Sequence, residues 1–231
     1  MTDKKSLNFD FLDESPKQAG EKVAETVAAT PAPAATDKVK FFPYFIECLT
    51  KFPKFAKEHL VTANPKYLLL VIWIVGIGNA ADRLTSSNSS TWGEVWAIAI
   101  FGGILAGAVA YYIAGWFYHV RVGWSKGTGS IDTARNLSIY SALPIALVGM
   151  GSLFFNMLAY GSDYFDSYYS DASSVDVIFG LLAIAAIAYS IYISYRAVRE
   201  VMNVQKGRAI FWFVIAPAIL YVLIFAGALF E

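Results

Sequence analysis

Few residues in this chain have the type and spacing to do chemistry. Lys126-Gly127-Thr128-Gly129-Ser130 gathers a cation, two glycines and two hydroxyls, the ingredients of a phosphate cradle. It lacks the G-x-x-x-x-G-K-[ST] order of a nucleotide-binding loop. It reads better as a basic, glycine-rich turn facing anionic lipid headgroups or a partner protein. Arg121, Trp124 and Lys126 are its candidate contacts, with Arg135 and Arg199 on neighbouring stretches. Gly76-Ile77-Gly78-Asn79-Ala80-Ala81 fits G-x-G-x-x-A, the dinucleotide fingerprint. That fingerprint needs a strand before it and a soluble crossover unit after it. Here it lies inside an apolar block, so its glycines are read as points of close helix approach. Gly103 and Gly107, four apart, extend the same reading to a second block.

Other chemistries lack their groups. A proton pump, an intramembrane protease or a metal transporter needs acids, bases or ligands at depth. Asp82, Glu94, His59 and His119 all fall outside or at the ends of the apolar blocks. Asn79 and Asn156 are the best polar candidates within them, and such amides commonly bond between helices. The single cysteine, Cys48, excludes an internal disulfide and most thiolate metal sites. No stretch combines bases and aromatics as a nucleic-acid groove does. The reading is a non-enzymatic protein with no catalytic residue, no cofactor and no metal.

The elements that would hold these residues are five apolar blocks: 67–81, 95–118, 137–160, 177–195 and 209–230. The chain is 57% hydrophobic and only 16% charged, against roughly a quarter charged in soluble domains. At about 1.5 Å of rise per residue, most blocks can cross a hydrocarbon core of roughly 30 Å. In lipid the backbone must satisfy itself, so the blocks should be helices. The expectation is an all-α integral membrane protein, a five-span bundle over 66–231. The first block is short and must start before Tyr67, run past Arg83, or thin the bilayer locally. Thr91-Trp92-Gly93-Glu94 is a capping box opening the second block, and Ser173–Asp176 a similar start for the fourth. Pro144 and Pro217 should break the third and fifth.

Ahead of the blocks, residues 1–37 have the Ala, Lys, Glu, Thr and Pro content of a disordered cytosolic tail. Their polarity argues against a cleaved signal peptide. Residues 38–65 alternate Phe42, Phe45, Ile46, Leu49 and Phe52 with lysines, as an amphipathic segment in the headgroup plane would. Pro53 should divide it into two short helices. Charge then orients the chain. Residues 38–66 hold six lysines against two acids, and the 119–136 and 196–208 loops are also basic. The 161–176 loop holds four aspartates and no base. Basic loops stay cytoplasmic, which places the N-terminus inside and the C-terminus across the membrane.

Leu137-Ser138-Ile139-Tyr140 running into Leu143-Pro144, and Ala216-Pro217-Ala218 followed by Leu220-Tyr221, are similar to the Yip family. Its members are named for interacting with Ypt/Rab GTPases. The resemblance covers roughly residues 41–230. The Asp-Leu-Tyr-Gly-Pro element of eukaryotic members is replaced by Asn64-Pro65, and the chain looks more like prokaryotic members. The resemblance implies a scaffold or adaptor in membrane organisation or trafficking, without catalysis. Its partners would be membrane lipids, a membrane or cytosolic protein, or a second copy of the chain. The membrane would be the plasma membrane of a bacterium, or the endoplasmic reticulum and Golgi of a eukaryote. The rival reading is a small permease with a pathway beside Pro144 and Pro217.

Overall fold

A computed structural model describes residues 41–84, 91–165 and 174–228. The 1–37 tail and the Ser173 cap lie outside them. Among the described residues the chain is helical and has no strand. The elements are α1 (Phe41–Thr50), α2 (Phe52–Phe55, continued by a π-helical turn Ala56–Leu60) and α3 (Pro65–Leu84). Next come α4 (Trp92–Val109), passing through a π turn at Ala110–Ala114 into α5 (Gly115–Trp124), and α6 (Ile131–Tyr160). The last are α7 (Ser174–Val201), then α8 (Lys206–Ile210), a π turn at Phe211–Ile215, and α9 (Ala216–Ala228).

Four of these helices are long and apolar enough to cross a membrane: Trp92–Trp124, Ile131–Phe165, Val177–Val201 and Lys206–Gly227. The apolar stretch Pro65–Ala81 is shorter, although α3 itself starts before Tyr67 and ends at Leu84. Local chemistry sets its start. The Asn64 side chain accepts the Lys66 N–H at 3.1 Å, and Pro65 supplies a preset φ at the first helical position. Likewise Thr91 caps α4 through the Glu94 N–H at 3.3 Å, and Ser130 caps α6 through the Thr133 N–H at 3.1 Å. The outer faces are apolar: Phe101, Leu105, Leu181 and Val222 are all exposed. Water penalises such a surface and lipid does not. The chain is a multi-pass integral membrane protein.

The bundle is organised around α3. Residues two apart on a helix point to nearly opposite sides, because each step turns about 100°. Gly76 and Gly78 therefore serve two different neighbours. A methyl on Gly76 would lie 1.8 Å from the Gly103 carbonyl oxygen of α4. One on Gly107 would lie 2.2 Å from the Ile72 oxygen. On the other side, a methyl on Gly78 would meet the Ala146 Cα of α6 at 2.5 Å. Only bare backbone fits at these crossings. Trp73 adds a bond from its indole N–H to the Ile100 carbonyl at 3.0 Å. Beyond the glycines, Ile77, Ala81, Val95, Ala99 and Leu153 form a buried apolar cluster.

Two expectations need correction. Neither proline breaks its helix: α6 runs through the buried Pro144 from Ile131 to Tyr160, and the last span runs through Pro217, just after a π turn, from Lys206 to Gly227. Phe52 is not free for lipid. Pro53 opens α2, and the turn carries Phe52 and Phe55 inside, at 1% and 0% exposure. Phe55 packs on Tyr44, whose hydroxyl bonds that of Tyr140 at 2.8 Å. Phe42 and Ile46 remain exposed. Lys54 and Lys57 pair with acids, Lys57 with Glu200 of α7 at 2.6 Å.

Gly76→Ala is expected to force α3 and α4 apart and cost about 1–3 kcal/mol or more. Gly180→Ala meets nothing within 4 Å and should be neutral to slightly stabilising. Unfolding of both variants in mixed micelles by a denaturing detergent measures the difference.

Burial pushes the Cys48 thiol from its ordinary 9.0 up to about 12. Between those values the unfolded chain loses a proton that the folded chain keeps, so stability should fall as pH rises through that window. At pH 8 the native thiol should resist a maleimide that labels it at once after unfolding.

Candidate functional site

The termini of α5, α6, α7 and α8 meet at one end of the bundle, where the basic residues collect. The loop after α5 is stitched to the loop after α7 by backbone bonds. The Thr128 N–H donates to the Met202 carbonyl at 2.9 Å, and the Gln205 N–H to the Ser125 carbonyl at 2.9 Å. Lys126 sits in the α5–α6 turn with a φ of 54°, exposed. Asn203, in the opposing loop, has a φ of 48°. Arg199 is exposed on α7 and leans over the Tyr195 ring, 5.7 Å from its centre. Arg135 stands apart. It pairs with Asp132 at 3.1 Å and covers the Tyr112 ring at 5.1 Å. The Trp124 and Trp212 rings pack with centres 4.4 Å apart, and Trp124 is 43% exposed. Thus Arg121, Trp124 and Lys126 share this end with Arg199, while Arg135 belongs to the α5–α6 contact.

Arg121 turns inward. Its Nε and Nη2 both donate to the Trp212 carbonyl, at 2.9 and 2.6 Å. Its guanidinium also lies 4.4 Å from the centre of the Phe213 ring and 5.6 Å from that of Tyr118. The backbone explains the attraction. In the π turn, the Ala216 N–H bonds the Phe211 carbonyl, five residues back. The next residue in the ladder is Pro217, which has no N–H. The Trp212 carbonyl is therefore left without a helical donor in an apolar setting, and Arg121 supplies one. A charged donor makes such a bond stronger than a neutral one. Pro217 thus acts by vacating a backbone acceptor. Pro144 and Pro217 are not equivalent.

A cleft of about 140 Å³ opens beside this link. Tyr118 and Arg121 line it from α5, Ser138 and Ser141 from α6, Ser190 and Ser194 from α7, and Pro217 and Tyr221 from α9. Tyr118 bonds the Ser194 hydroxyl at 3.0 Å. Ser141 donates to the Ser138 carbonyl at 3.0 Å. Ser190 is 7% exposed, and its Oγ has no partner. Sequence reading missed the serines of α7, since lone serines within an apolar block carry no spacing signal. The polar residues expected at depth are elsewhere. Asn79 is exposed, and Asn156 is buried on α6 outside the cleft. Asn136, also missed, donates to the Leu60 carbonyl at 2.9 Å.

The Arg121–Trp212 link yields a double-mutant cycle. Pro217→Ala restores an N–H to the helix, so Arg121→Leu should cost less in that background than in the native chain. The difference expected is about 0.6–1.7 kcal/mol, the range for interhelical hydrogen bonds in lipid. Detergent unfolding of the four proteins measures it.

No curated protein and no solved structure matches the chain. The model of one family does, the Yip1 domain, over residues 53–228. Ser138, Tyr140, Pro217 and Tyr221, within the similar stretches, line the cleft or fasten α1, as described above. The match takes in most of the chain and every helix from the π turn of α2 to α9, and the chain belongs to the Yip1 domain family.

Proposed function

We propose that this protein is a non-enzymatic membrane scaffold, a five-span bundle that organises lipid or protein partners. α3 is the fifth span, crossing with some local thinning of the bilayer. The basic end faces the cytosol, and the N-terminal tail lies on that side. Residues 38–65 form an amphipathic segment at the same surface, with Phe42 and Ile46 toward the headgroups. Trp124, Lys126 and Arg199 are the contacts for anionic lipid or an acidic partner. Yip family proteins interact with Rab/Ypt proteins and membranes, and a partner of that kind would meet this chain on the same face.

One observation carries this reading over the permease. α3 touches α4 and α6 backbone to backbone at Gly76 and Gly78, which leaves no room for a solute at those crossings. The hollow of about 440 Å³ beside α3 and α4 is walled mostly by apolar side chains such as Leu68, Ile72 and Ile104. Pro144, Asn79 and Asn156 do not join Pro217 in the cleft. Gly103 and Gly107 are occupied by α3 within the chain, so a second copy would have to use another face.

The test is thiol labelling in intact cells, with Cys48 replaced by alanine. Single cysteines at Ala99, Leu143 and Ala146 should resist a water-soluble reagent. Lys126→Cys should react only once the cytosolic face is opened, and Asp163→Cys without opening. A labelled stripe along the three core positions would establish a hydrated path and make the permease the better reading.

A further inference from the structure

Arg121 has more donors than its structural role uses. A guanidinium carries five N–H groups in a planar fork. The Trp212 carbonyl takes one from Nε and one from Nη2. Among the described residues no carboxylate lies within ion-pair distance of Arg121. A cation half-buried in an apolar bundle without an acid is costly unless something answers it.

The cleft beside it is lined by donors. Ser190 Oγ is buried and unpartnered on one wall, and Tyr221 lines another. No Asp, Glu or His borders the cleft, so it cannot suit a metal cation. Its volume of about 140 Å³ is close to that of an engineered cavity that admits benzene. A tetrahedral oxyanion is smaller than that. The packed Trp124 and Trp212 rings mark the level of the headgroups, where phosphate is the abundant anion.

We infer that the cleft between α5, α6, α7 and α9 is a binding site for a phosphate group, held by the free N–H groups of Arg121 and the Ser190 hydroxyl. Several acceptor oxygens on one phosphorus match a fork of N–H donors and hydroxyls better than a neutral ligand would. The inference rests on the scaffold reading only in setting Arg121 at the cytosolic headgroup level. A lipid phosphate and free phosphate share this chemistry.

Full-length protein, purified in mild detergent and stripped of lipid, is incubated with phosphatidic acid, with diacylglycerol bearing the same chains, or with inorganic phosphate. Native mass spectrometry counts what stays bound. One phosphatidic acid per chain should be retained, at least tenfold more tightly than diacylglycerol. Ser190→Leu fills the cleft without touching the Arg121–Trp212 link, and should weaken retention at least tenfold. Ser190→Ala, which adds no bulk, should weaken it several-fold and serves if the leucine variant does not fold. Arg196→Ala, on the exposed surface of α7 and given no role in binding, should leave the count at one. Retention of inorganic phosphate instead of lipid, with the same loss on Ser190 substitution, would support the site and assign it to the free ion. Equal binding of diacylglycerol, or binding indifferent to Ser190, would overturn the site. Labelling of Ala99, Leu143 and Ala146 involves neither Ser190 nor phosphate, so the site can fail while the scaffold reading stands.

Discussion

Backbone carbonyls that their own helices cannot satisfy draw side-chain donors from elements far away in sequence. In lipid an unanswered carbonyl costs several kcal/mol, and no water is available to reduce the cost. Four loosened or terminated stretches of backbone are each met by a side chain from another helix. Tyr189 reaches the Leu49 carbonyl at the end of α1. Asn136 reaches Leu60, the last residue of the first π turn. Arg121 reaches Trp212 in the last π turn. Trp92 reaches Gly161, where α6 gives way to a 3₁₀ turn. These bonds join residues far apart in sequence and so fasten α1, α2 and α8–α9 to the bundle.

Where no carbonyl is freed, the helices rely on van der Waals contact. Lipid tails are as apolar as the side chains, so burial alone does not press helices together. Close approach provides adhesion instead, and it requires glycine. The α3 helix has glycines on opposite faces and sits between α4 and α6. The outer helices, with fewer such contacts, present large apolar side chains to the membrane. Polar fastening and glycine contact are complementary. One acts mostly near the helix ends, the other along their lengths.

This division explains what could be read from the sequence. Helical blocks, their apolar character and the Thr91 cap are local properties, and each depends on residues within one or two turns. Gly76, Gly103 and Gly107 stand out by type, although nothing local says that Gly76 meets Gly103 while Gly78 meets Ala146. Arg121 shows the opposite case. It was legible as a basic residue near a span end, but its inward turn depends on a proline and a π turn far along the chain. A π turn has no sequence signature comparable to a cap. Phe52 misled for a related reason. Its spacing fits an amphipathic face, but Pro53 redirects the chain and turns that side chain inward. Ser190 carries no signal until three other helices enclose it.

The Arg121–Trp212 link also constrains the order of manufacture. The two residues are 91 positions apart, and a ribosome adding about 5–20 residues per second makes the first several seconds before the second. In that interval Arg121 has neither its carbonyl nor the ring of Phe213. A nascent chain stalled before α8 therefore presents an unmatched guanidinium at the membrane boundary, a mark by which cellular surveillance could separate unfinished copies from completed ones.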